Sequence, residues 1–172
     1  MKTKTLVSLS LLIGIGAALH FIIPGFFLGM KPDMMLLMMF LAIVLFPEKK
    51  NVFIVALAAG AISAMTTTFP GGQIPNVIDK FVTAFLFYLL FIGFKKFSTS
   101  VISVSILTAL GTIISGAVFL GSAYYIVSLP GPFVVLFGAV VLPAVLLNTV
   151  AMVFIYPIVK GIVQKTKIPV HA

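Results

Sequence analysis

Six apolar runs, divided by short polar or turn-forming stretches, constrain this chain more than any other feature. They cover about residues 6–23, 34–46, 52–67, 77–94, 101–127 and 133–163. A helix needs about 20 residues to cross the hydrocarbon layer of a bilayer. The second and third runs are shorter, so either their ends lie in protein-lined space or the helices extend a few residues further. Composition points the same way: 62% of the residues are hydrophobic, 8% are charged and the mean hydropathy is +1.31. Too few polar groups remain to cover a water-exposed surface. The reading is an all-α membrane protein, one integral domain of six transmembrane helices over residues 1–172.

The lysines fix an orientation. Lys2 and Lys4 precede the first run, Lys49 and Lys50 separate the second from the third, and Lys95 and Lys96 the fourth from the fifth. Lys160, Lys165 and Lys167 close the chain, leaving only Lys31 and Lys80 for the other side. Positive charge is retained in the cytoplasm, so six crossings place both termini inside. An odd number of crossings would destroy the segregation. The net charge of +8 therefore reads as topology rather than as a nucleic-acid footprint, and no arginine is present to read phosphate in a bidentate manner. The N-terminal segment also has the basic start and small residues of a secretory signal, but five more apolar runs follow it.

Chemistry that would mark an enzyme is sparse. There is no P-loop, no HExxH and no GxSxG, and no cysteine. Histidine occurs only at His20 and His171, and acids only at Asp33, Glu48 and Asp79. A non-enzymatic chain with no cofactor and no metal site is expected.

The polar residues gather on the outward side, in loops expected at 24–33, 68–76 and about 128–132. The stretch TTTFPGGQIPN (66–76) is polar and helix-breaking where its surroundings are oily. Irregular backbone at membrane depth is tolerated where protein or a water-filled cavity covers it, which points to a binding pocket under loops. Asp79-Lys80 admits two readings. In one, Asn76 caps the fourth helix and Asp79 sits in its first turn. In the other, the pair faces a cavity and meets a charged ligand. Lys31-Pro32-Asp33 repeats the arrangement, with Asp33 a possible cap for the second helix. A zwitterion needs an acceptor for its ammonium and a donor for its carboxylate. Asp33 or Asp79 supplies the first and Lys31 or Lys80 the second, unless each pair simply neutralises itself.

Phe26, Phe27, Phe69, Phe119, Tyr124 and Tyr125 cluster near the same face, as core, belt or stacking partners. Met30, Met34 and Met38, with Met35 and Met39, form a stripe suited to packing or to an adaptable cavity wall. His20 is read first as a packing histidine. Asn148, five residues after Pro143, either satisfies helix neighbours or lines the cavity. The candidate ligand set is Lys31, Asp33, Phe69, Gln73, Asn76, Asp79, Lys80 and Asn148. Ser10, Gly14 and Ala18 make a smooth stripe on the first helix, for internal packing or for a membrane partner.

Three blocks, HFIIPGFFLGMKPDMML (20–36), TTTFPGGQIPNVIDK (66–80) and LPAVLLNTVAM (142–152), resemble the bacterial tryptophan-transport protein family. That family is counted among the substrate-binding S components of energy-coupling factor (ECF) transporters. The resemblance implies a six-helix bundle in the bacterial cytoplasmic membrane that takes up tryptophan beneath its outer loops. It further implies a membrane coupling protein and two ATPase subunits as partners, with docking through a small-residue face of the first helix. Ser10, Gly14 and Ala18 depart there from the Ala-x-x-x-Ala pattern. The competing reading is a stand-alone ion-coupled permease for tryptophan or a related aromatic compound; a third is a membrane scaffold without a ligand.

Overall fold

A computed structural model describes residues 3–23, 32–95 and 100–165. Lys31, Phe26, Phe27 and Met30 lie outside the described residues. The described chain is helical: α1 (Thr3–Ile22), α2 (Met34–Leu45), α3 (Lys49–Thr66), α4 (Gln73–Lys95), α5 (Val101–Ile126) and α6 (Phe133–Lys165). Five of them, all but α2, are long and apolar enough to cross a membrane.

The exception, α2, has 12 residues and spans about 18 Å at ~1.5 Å per residue. Every residue from Met34 to Phe46 is buried, and α2 packs against each of the other five helices. A helix that is apolar all round has no polar face to offer water, and burial at the centre of the bundle suits it. The short second run is thus a helix enclosed by protein. The third run is not short at all: α3 starts at Lys49, three residues before its apolar stretch.

Local sequence sets the helix ends. The Asp33 carboxylate accepts the Leu36 N–H at 3.0 Å and so caps α2. Pro47 disfavours helical backbone at Phe46, which stops α2. Ser100 accepts the Ser103 N–H at 3.2 Å to cap α5. Between α3 and α4 the chain turns at Phe69–Gly72, closed by a 2.9 Å bond from the Gly72 N–H to the Phe69 carbonyl. Gly71 holds φ +72° there, a conformation that favours glycine.

Two features shape the interior. Phe40 and Phe87 stack at 3.9 Å and 10°, and Gly111 lies against both rings. A Cβ at Gly111 would stand 2.6 Å from Phe40 Cζ and 2.7 Å from Phe87 Cδ2, so only glycine fits. In α6 the segment Phe137–Val141 is π-helical, and the Leu142 N–H donates to the Phe137 carbonyl five residues back. Pro143 follows directly; it lacks an N–H and its ring crowds the carbonyl four residues earlier, which favours the wider turn.

Candidate functional site

A cavity of about 460 Å³ opens where α1, α3 and α5 finish and α2, α4 and α6 begin. All six helices line it. One side is apolar, built from Leu36, Gly116, Leu120, Leu136, Val140 and Val141, with Phe69 and Phe119 meeting edge to face at 5.4 Å. The other side is ionic.

That ionic side is a single connected network. Lys80 Nζ lies 2.9 Å from Asp33 Oδ2 and 2.9 Å from Asp79 Oδ2, so one ammonium serves two carboxylates. Thr83 donates to Asp79 Oδ1 and Ser115 to Asp79 Oδ2, each at 2.9 Å. Asn148 is fully buried on α6. Its Oδ1 accepts the Asp33 N–H at 2.8 Å, and its Nδ2 donates to Thr112 Oγ1 at 3.2 Å. His20 Nδ1 stands 3.9 Å from Asp33 Oδ1. The network therefore ties α2, α4, α5 and α6 together, with α1 at its edge.

These contacts answer the solvation problem of burying charge. Lys80 and Asp79 are 3% and 2% exposed along their side chains. Unpaired ions at such depth would be prohibitive; paired and hydrogen-bonded they are tolerated. Asp33, at the mouth before α2, is 31% exposed. Burial alone would raise the pKa of its carboxyl. The Lys80 ammonium, the Leu36 amide and His20 outweigh burial and hold it below its usual value.

Of the residues singled out from sequence, Asp33, Phe69, Asn76, Asp79, Lys80 and Asn148 all line this cavity, as do His20 and Phe119. Gln73 does not: it is exposed on the first turn of α4, outside the cavity lining. Lys31 lies outside the described residues. Asn76 is not a cap, because α4 starts at Gln73 and the Asn76 side-chain Nδ2 donates back to the carbonyl of Gly72, just before the helix, at 2.8 Å. Asp79 sits beyond the first turn, deep in the network rather than at the helix end. No described methionine lines the cavity; Met34, Met35, Met38 and Met39 are buried in the bundle because all of α2 is. Tyr124 and Tyr125 are exposed and pack on each other at 5.2 Å, away from the site. Ser10, Gly14 and Ala18 are exposed on the outer face of α1, while Leu9, Leu12, Ile13 and Gly16 pack inward.

Thr83, Thr112 and Ser115 were not among the sequence candidates. A signal for two of them exists. Ser105, Thr108, Thr112 and Ser115 recur at helical spacing on an otherwise apolar α5, and all four are buried.

Comparison with known proteins places this geometry in a family. The sequence model described as "Tryptophan transporter TrpP" matches residues 2–164. A relative from Bacillus subtilis (strain 168), named "Probable tryptophan transport protein", is 58% identical over 166 residues, covering 96% of each chain. Proteins with the same name from Clostridium acetobutylicum and Clostridium perfringens are 44% and 39% identical. The first alignment covers 93% of this chain and 94% of that protein, the second 97% of each. No solved structure matches the chain. A match over nearly the whole length, on a fold with several helices apolar enough for a bilayer, leads to one conclusion: the chain belongs to the TrpP tryptophan transporter family and is a multi-pass protein of the bacterial membrane.

Proposed function

We propose that this chain captures tryptophan at the outer face of the cytoplasmic membrane and carries it inward as the substrate-binding subunit of an ATP-driven ECF-type importer. The observation that carries the reading is the cavity itself: about 460 Å³, ionic on one side, apolar and aromatic on the other. Sites for small organic ligands are typically about 300–1,000 Å³, mostly apolar with a few convergent polar groups. An amino acid with a flat indole needs that division. The names of the three relatives support tryptophan as the ligand.

In this reading the chain crosses the bilayer six times with both termini inside. The lysine distribution supports it, as does the position of the cavity at the ends where odd-numbered helices finish and even-numbered helices begin. The enclosed α2 counts as one crossing, its shortfall in length covered by its neighbours. Transport would require a membrane coupling protein and two ATPase subunits. The exposed stripe Ser10, Gly14 and Ala18 would meet the coupling protein; a Cβ at Gly14 would touch nothing within 4 Å.

A stand-alone ion-coupled permease is the second reading, favoured by one observation. Intramembrane ionisable groups often carry coupling ions, and Asp33, Lys80 and Asp79 form such a group. Uptake in cells lacking the coupling protein and ATPases separates the two: persistent transport supports the permease, its loss the importer. Ligand capture is tested more simply. The protein has no tryptophan, so bound ligand reports through its own indole emission. Tryptophan is expected to show a spectral shift or quench with purified protein. Its failure to do so, where another small solute responds, would overturn the assignment of substrate.

A further inference from the structure

The three ionic groups of the cavity are unequally reachable. Asp79 is 2% exposed and already accepts from Lys80, Thr83 and Ser115. Lys80 is 3% exposed and held at 2.9 Å by two carboxylates at once. Asp33 alone is substantially open, at 31%, and it stands at the mouth, before α2. Its oxygens accept one bond each from Leu36 and Lys80, and a carboxylate has about four acceptor positions. A ligand cation entering there meets the open oxygens of Asp33, whereas a ligand anion meets an ammonium already shared by two carboxylates.

Resting on the reading of this cavity as the tryptophan site, we propose that Asp33 is its specificity-determining residue and receives the ligand's primary ammonium. Lys80 is then an internal counter-ion rather than the seat of the ligand's carboxylate. The site consequently selects indoles that carry an amine, whether or not they carry an acid. Asp33 also caps α2 and donates its own N–H to Asn148 Oδ1, so its carboxylate is positioned by two elements before any ligand arrives.

The test is a ligand series on the purified full-length protein, read by indole emission beyond the tyrosine band. Tryptophan, tryptamine and 3-(indol-3-yl)propionate share the ring and differ only in their charged groups. Tryptophan and tryptamine are expected to bind within about tenfold of each other, and the propionate at least about tenfold more weakly, the usual worth of one charged hydrogen bond. Asp33→Asn retains a capping oxygen for α2 while removing the charge. It is expected to weaken tryptophan and tryptamine by on the order of ten- to a hundredfold and to leave the propionate unchanged or tighter. Propionate binding as well as tryptophan, with tryptamine excluded, would overturn the assignment and place a cation such as Lys31 in the ligand's path, while tryptophan capture would stand. Equal affinities of the three ligands before and after Asp33→Asn would overturn it too. A response from none of the three would remove the tryptophan reading and this inference together.

Discussion

Helices α2 and α6 are built from nearly the same oily alphabet, yet the fold treats them in opposite ways. In α2 every side chain is buried against protein. In α6, 33 residues long, the buried positions reduce to one stripe: Val141, Asn148, Met152, Tyr156 and Val163. Val134, Leu146, Phe154 and Ile158 face outward, each more than half exposed. In a bilayer the apolar solvent satisfies a lipid-facing side chain as well as a protein core does, so hydropathy does not distinguish the two roles. Length does, because a helix too short to span must be covered by its neighbours. The two helices meet at the site, where the Asn148 side chain of α6 accepts the N–H of Asp33 at the start of α2. A peripheral helix thereby helps to position the residue that faces the cavity.

The comparison can be broken most severely at Lys80. If α2 were held by apolar packing alone, Lys80→Met would be mild. The ionic tie to Asp33 predicts otherwise, since two carboxylates would lose their shared cation. A loss of about 3–5 kcal/mol is expected in the unfolding of the detergent-solubilised protein, together with loss of tryptophan binding. Met39→Ala tests the enclosed core, with an expected loss of about 2–5 kcal/mol; its counterpart Phe154→Ala on α6 should stay within about 0.5 kcal/mol. Similar losses at the two positions would erase the distinction between core and lipid face. Asn148→Ala sharpens the contrast within α6. It leaves the Asp33 N–H and the Thr112 hydroxyl without the Asn148 side chain they bond, so about 1–3 kcal/mol and a measurable fall in tryptophan affinity are expected by titration. Gln73→Ala, on the exposed first turn of α4, should change neither stability nor binding by more than about 0.5 kcal/mol.

Sequence reasoning went furthest where solvent preference is the controlling physics. The apolar runs coincide closely with the helices, and Asp33, Asp79, Lys80 and Asn148 stood out because an ionic or amide group in an oily segment demands a reason. It went least far where the answer depends on which face of a helix meets which neighbour. The Met30 to Met39 pattern has the spacing of a cavity wall, but α2 is enclosed on all sides, so spacing around it carries no directional information. Asp79-Lys80 and Lys31-Pro32-Asp33 were read as two separate acid–base pairs. In the structure Lys80 bridges to Asp33 across 47 positions, a join that no local pattern encodes. Gln73 shared the helix-breaking stretch 66–76 with Thr67 and Phe69, but it stands exposed at the very start of α4, a turn before Asn76 and two turns before Lys80, and so falls short of the cavity. Thr83, Thr112 and Ser115 were overlooked because hydroxyls in apolar helices commonly bond their own backbone, as Thr108 does to the Val104 carbonyl at 2.9 Å.

The central claim is that the cavity beside residues 66–69 opens to the cell exterior and holds tryptophan. The chain has no cysteine, so a single engineered thiol reports without background. Thr67→Cys, on the cavity wall, should react in intact cells with a membrane-impermeant thiol reagent, and saturating tryptophan should slow that reaction. Labelling only after the cell interior is opened, or at a rate indifferent to tryptophan, would contradict the account.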